Sequence, residues 1–182
     1  MATRAEATIE DLYHVDAKRA ELVNGEILVM PPAGVFHGYA AGRILVRIVE
    51  YADRTHSGYG LPDSVAYVVN LPHRRSFCPD AAFIRGPLSA KFHDGAPVFA
   101  VEVRSAGDYG PAAERAMAAK RADYFAAGTL VVWDVDVLRD QLVRVYRSSD
   151  PADPRTYRRG DVAEAEPALP EWSMPVDDFL PR

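Results

Sequence analysis

Two apolar runs constrain the fold of this chain more than anything else in it: Pro97 to Arg104 (PVFAVEVR) and Thr129 to Val135 (TLVVWDV). Each is apolar on both faces over most of its length, the pattern of strands covered from both sides. Between them, Pro111 to Ala127 reads as a helix, with proline in its first turn and Gly128 at its end. Strand, helix and strand in that order predict a parallel crossover.

The flanking sequence adds elements of other kinds. Thr8 followed by Glu10 and Asp11 marks a short helix start, with a hydroxyl cap and acidic residues at the positive helix end. Ala20 to Val23 and Glu26 to Met30 read as strands joined by Asn24-Gly25, the pairing that a type I′ hairpin turn favours. Pro31-Pro32 stops the second of them. From about Phe36 to Ala52 a helix is expected, because Ala41, Ile44, Leu45, Ile48, Val49 and Ala52 recur at spacings of three and four. Strands are expected at Ser64 to Val69 and, behind Pro79, at Asp80 to Ile84. Gln141 to Tyr146 alternates like an exposed strand, and the proline-rich tail reads as a short strand and turns. The class is α/β, a mixed sheet flanked by helices.

A length of 182 residues suits one domain, 1–182, with a core over about 8–150 and a tail, 151–182, packing on it. Nothing approaches the roughly 20 apolar residues of a membrane span, and the charged N-terminus lacks a secretory core. A lone Cys78 rules out an internal disulfide, so a cytoplasmic address is expected. The net charge of -5 argues against gripping duplex DNA over the whole surface, and makes any nucleic-acid contact local or metal-assisted. Arg139, Arg144, Arg147, Arg155, Arg158 and Arg159 cluster late in the chain, as a solvated sheet edge or a basic patch.

Three charges sit where a core residue belongs. Glu102 interrupts a central strand, and a buried carboxylate must be paired, protonated or metal-bound. Asp80 opens a neighbouring strand about twenty residues earlier, so two adjacent strands can bring both carboxylates to one sheet edge. Alone, Pro79-Asp80 is an ordinary turn signal. Lys120 falls in line with Ala116, Met117 and Tyr124 on the apolar stripe of its helix. Either its stem lies along apolar surface with the ammonium in water, or it reaches the end of strand 98–104. The chain has no zinc motif, nucleophile elbow or phosphate-cradling glycine loop. Cys78 reads as a buried spectator.

The run Glu21-Leu-Val-Asn-Gly-Glu-Ile, Pro-Pro with His37 beyond it, Pro79-Asp80, Val101-Glu102-Val103-x-Ser105 and Lys120…Tyr124-x-x-x-Gly128 resembles the Uma2 family over roughly residues 8–150. That family comprises restriction-endonuclease-like proteins, and the resemblance implies a PD-(D/E)xK nuclease core. Residue by residue, it implies Asp80 and Glu102 as acidic metal ligands, Glu21 as an upstream acidic ligand and Lys120 as the helix-borne lysine. In the wider superfamily the lysine lies two residues after the glutamate, where this chain has Arg104. Arg104, Ser105 and His37 are then candidate phosphate or substrate contacts. Family members usually continue Ser-Pro-Ser, whereas this chain reads Ser105-Ala106-Gly107-Asp108.

The implied activity is a Mg²⁺- or Mn²⁺-dependent endodeoxyribonuclease, homodimeric by analogy, with DNA as substrate. The alternative is a catalytically inactive nuclease-fold module that binds nucleic acid or a protein partner, which the acidic balance and altered loop favour. A carboxylate-pair sugar hydrolase is a third option, without the aromatic clustering a sugar platform wants.

Overall fold

The computed structural model describes residues 6–17 and 19–181. The first five residues of the charged N-terminus, Lys18 and Arg182 lie outside that range. The elements run α1 (Ile9–Tyr13), β1 (Ala20–Val23), β2 (Glu26–Val29), α2 (Val35–Thr55), β3 (Tyr59–Pro62), β4 (Tyr67–Val68), β5 (Ser76–Phe77) and β6 (Ala81–Ile84). After these come β7 (His93–Asp94), β8 (Phe99–Val103), α3 (Pro111–Ala126), β9 (Val131–Asp136), β10 (Leu142–Arg147), β11 (Asp150–Arg158), β12 (Val162–Glu164) and β13 (Ser173–Pro175). A 3₁₀ turn at Val176–Asp178 is the last of the elements.

The main sheet has six strands in the order β11-β10-β9-β8-β6-β3. Only β8 and β9 are parallel, joined through α3 as the crossover pattern predicts; the other pairs are antiparallel. Residues of alternate parity along these strands serve two different cores. On one face Phe83, Phe99, Val101, Trp133 and Val143 meet Ile44, Ile48 and Tyr51 of α2, together with Trp172, Met174 and Phe179 of the tail. On the other, Ala82, Ile84, Ala100 and Val132 meet Tyr67, Phe77 and Tyr124. The small sheet β5-β4-β7 lies on this second side.

That second face changes character along its length. Ala82, Ala100 and Val132 are apolar, but the same-parity positions at the C-terminal ends of β8 and β9 are Glu102, Asp134 and Asp136. Asp80, just before β6, shares the parity of Ala82 and joins them. The sheet therefore presents an apolar half and a charged half to whatever covers it.

Local rules account for most boundaries. Asn24 and Gly25 both take positive φ, as the hairpin turn requires, and Thr8 forms a capping box with Asp11. Gly128 follows α3 with φ of 105°. Three expectations need correction. Ser64–Val69 is not one strand: Ser64 turns at positive φ and only Tyr67–Val68 pairs. Leu142–Arg147 is an interior strand, because β11 from the tail pairs along its outer side. The alanine stripe of α3 stays largely exposed, with only Asp123 and Tyr124 buried on that helix.

Gly58 sits where α2 hands over to β3 against β6. A Cβ there would lie 2.0 Å from the Ile84 carbonyl oxygen and 2.6 Å from the Phe83 ring. Backbone cannot yield as a side-chain tip can, so Gly58→Ala is expected to destabilise the fold by about 3 kcal/mol, read as a lower urea midpoint with unchanged m.

Candidate active site

The charged half of the sheet is the floor of a pocket of about 630 Å³. α3 forms one wall, and the loop from Met30 to Gly34 that leads into α2 forms another. Asp80, Glu102, Arg104, Ser105, His37 and Lys120 all line it; Glu21 lies behind Lys120, off the pocket wall.

Four residues from three elements, β1, β8 and α3, meet at and behind its base. The Lys120 ammonium sits between two carboxylates, 2.8 Å from Glu102 Oε1 and 2.9 Å from Glu21 Oε1. Tyr124, one helical turn further along α3, donates its hydroxyl to the same Glu102 oxygen at 2.6 Å. Its ring stacks on Phe77 with centroids 4.0 Å apart, which fixes the direction of that hydroxyl. Glu21 is gripped from three sides: by Lys120, by Arg74 Nη1 at 2.5 Å and by the Cys78 backbone N–H at 3.0 Å.

Asp80 is 4 % exposed and equally well held. The Val103 backbone N–H donates to its Oδ2 at 2.7 Å, while Arg19 and His37 Nε2, the latter at 2.9 Å, meet its Oδ1. The opposite nitrogen of His37, Nδ1, lies 3.2 Å from Ser105 Oγ. Ser105, His37 and Asp80 thus form one hydrogen-bonded chain along the pocket.

These environments pull the three carboxyls apart. Burial works to raise all of them. For Asp80 the His37 and Arg19 contacts and the Val103 N–H override burial, and for Glu21 Lys120 and Arg74 do so, leaving both below the usual carboxylate range. For Glu102 burial prevails, helped by the charges of Asp80 and Glu21 against the pull of Lys120, and its carboxyl is pushed up to about 7. Burial would favour neutral Lys120, but Glu102 and Glu21 raise its pKa above the ordinary lysine value, so the ammonium stays charged.

Arg104, two residues after Glu102 and just past the end of β8, is turned to other work. Nε and Nη2 bind Asp134 bidentately at 2.7 and 2.8 Å, and Nη1 and Nη2 reach Glu114 at the start of α3. Several residues of this site went unnamed in the sequence analysis. Asp134 breaks an apolar strand just as Glu102 does, so its signal was there to be read. Arg19 and Arg74 lie outside any periodic pattern and gave none. Among the described residues, no group of three His, Cys, Asp or Glu side chains forms a ready cage for a metal ion.

A model of the Uma2 family, described as "Putative restriction endonuclease", matches residues 7–177, well past the 8–150 over which the resemblance was read. The solved structures include one titled a putative nuclease belonging to DUF820, from Anabaena variabilis ATCC 29413. It superposes with a TM-score of 0.75 at 16% identity, over 94% of this chain and 96% of that one. The two share the mixed-sheet fold. No curated protein matches the chain.

Asp134 is 1 % exposed, and its closest cation is the Arg104 fork, with Arg121 Nη1 further off at 3.5 Å. Arg104→Ala is expected to cost about 3 kcal/mol in urea unfolding by leaving that carboxylate only the longer Arg121 contact, and Arg104→Lys to recover only part of it, since an ammonium lacks the fork.

Proposed function

The chain belongs to the Uma2 family, and on that premise we propose that it is a metal-dependent endodeoxyribonuclease acting at the Asp80–Glu102 pocket. The supporting observation is the meeting of Glu102 with Lys120, from the consecutive elements β8 and α3, beside Asp80 at the start of a neighbouring strand on one pocket floor. The donors suit a hard cation: Mg²⁺ or Mn²⁺ takes oxygen from one or two carboxylates and keeps several waters. Glu102, whose ionised form burial disfavours, has the most to gain from a cation beside it.

Asp80 and Glu102 would hold the ion. When bound, it supplies a water of lowered pKa and neutralises charge on the phosphate. Glu21, which lies off the pocket wall and is bound to Lys120, anchors Lys120 in this reading instead of serving as a third ligand. Lys120 remains an ammonium, so it stabilises negative charge developing on the phosphate and does not act as the base. Tyr124 fixes the rotation of the Glu102 carboxylate, and His37 does the same for Asp80 while orienting Ser105 toward the substrate. In the reaction a water oxygen bonds to phosphorus, a bond from phosphorus to a sugar oxygen breaks, and the water's proton leaves to solvent or to that oxygen. Self-association into a homodimer belongs to the same proposal by analogy alone.

One observation favours a second reading, a non-catalytic module of nuclease fold. Lys120 already occupies the gap between Glu21 and Glu102, as a permanent internal cation would.

Two measurements separate the readings. With Mg²⁺ or Mn²⁺ the wild type should cut single-stranded circular or supercoiled plasmid DNA, and Asp80→Ala and Glu102→Ala should each lose about a hundredfold or more in rate. Equal cutting by all three would assign the activity to a contaminant. Because Glu102 must shed its proton before its oxygen can bind metal, Mg²⁺ affinity by calorimetry should weaken up to about tenfold per unit below pH 7 and level off above it. No heat of binding at any pH would favour the inert module.

A further inference from the structure

A protein that follows a nucleic-acid backbone commonly neutralises several phosphates with free lysines and arginines. Five cations line this pocket among the described residues: Arg19, Arg74, Arg104, Lys120 and Arg121. Every one is already committed. Arg19 is bound to Asp80 with its Nε near Asp63, Arg74 to Glu21 and Asp123, and Arg104 to Asp134 and Glu114. Lys120 is bound to Glu21 and Glu102, and Arg121 lies 3.5 Å from Asp134 with its guanidinium over the Tyr146 ring. None exposes more than a fifth of its side chain. The net charge of -5 offers no general attraction to make up for them.

What the pocket does offer is volume and apolar wall. At about 630 Å³ it has the size of a small-ligand cavity, large enough for a nucleotide unit. Met30, Pro31 and Pro32 form one side, and Ala116 and Met117 of α3 stand on another. Between walls of that kind a base gains apolar contact only if its faces are free, and the faces of a base paired in a continuous duplex are stacked on its neighbours. Enzymes that take nucleotides into a closed site act on single strands or extrude the unit from the stack.

We infer that the pocket takes an unpaired nucleotide segment, a strand end, loop or single strand, with one phosphate over Asp80 and Glu102 and a base between the Met30–Pro32 loop and Met117. This rests on the nuclease reading and adds the substrate class to it. Affinity comes from apolar contact and one bridged phosphate, so added salt has little to disrupt.

The experiment uses the full chain with Mn²⁺ and three DNAs of equal length: a single strand, a duplex with an internal unpaired loop, and a fully paired closed duplex, relaxed and covalently circular, with neither ends nor loops. The single strand and the looped duplex should be cut at least tenfold faster than the closed duplex, losing that cutting with Asp80→Ala. The apparent affinity for the single strand should fall with salt on a log–log slope no steeper than about −2, where a protein gripping six duplex phosphates gives about −5. A preference below tenfold, or a slope near −5, overturns the inference and leaves the nuclease reading standing. If the wild type cuts none of the three, or Asp80→Ala cuts as well as wild type, the nuclease reading falls. Fluorescence anisotropy of the same DNAs in Ca²⁺ then decides the ligand class: a tenfold or greater preference for the single strand upholds it, and equal or absent binding overturns it.

Discussion

The ammonium of Lys120, held between Glu21 and Glu102, ties together three separate parts of this molecule at one point. Glu21 belongs to an N-terminal hairpin, Glu102 to the central strand β8, and Lys120 to the crossover helix. A buried carboxylate without a counter-charge is unfavourable by several kcal/mol, so each of these elements needs the others in place before its own charge is tolerable. Removing the lysine would leave two acids beside Asp80 with fewer cations to balance them, which is why the site and the local fold are one arrangement.

The same logic governs how α3 sits on the sheet. A crossover helix normally buries an apolar stripe, and the alanines here suggest one. Instead the helix is fastened largely by charge: Glu114 to Arg104, Lys120 to Glu21 and Glu102, Arg121 to Asp134, and Asp123 to Arg74 and His73. Tyr124 supplies the main buried contact, stacked on Phe77. The exposed alanines follow directly, since the half of the sheet beneath that end of the helix is itself charged. An ionic seam leaves space that packed side chains would have filled, and the pocket opens in that space.

The late arginines illustrate how such pairing shapes the surface. Arg144 meets Asp140, Arg147 meets Glu164 and Arg159 meets Asp177, along β10 and the tail. Three of the six are thus neutralised by local acids, which matches a solvated sheet edge better than a basic patch. Among the described residues no helix is long and apolar enough to cross a membrane.

Much of this could be read from the sequence, because the signals are local. The β8-α3-β9 crossover, the Asn24-Gly25 hairpin, α2 and the capped start of α1 follow from periodicity, turn chemistry and caps acting over a few residues. Glu102 and Lys120 stood out because each breaks the pattern of its own element. What tertiary structure alone decided is whom each charge faces. Arg104 and Lys120 are both basic groups close to Glu102, but only the packing of α3 gives Glu102 to the lysine and sends Arg104 to Asp134 and Glu114. Arg19 and Arg74 become visible only when folding sets them against Asp80 and Glu21, contacts separated by 61 and 53 residues in the chain. A periodic pattern records which side of an element is buried; the partner of a buried charge lies on another element, and no local pattern records it.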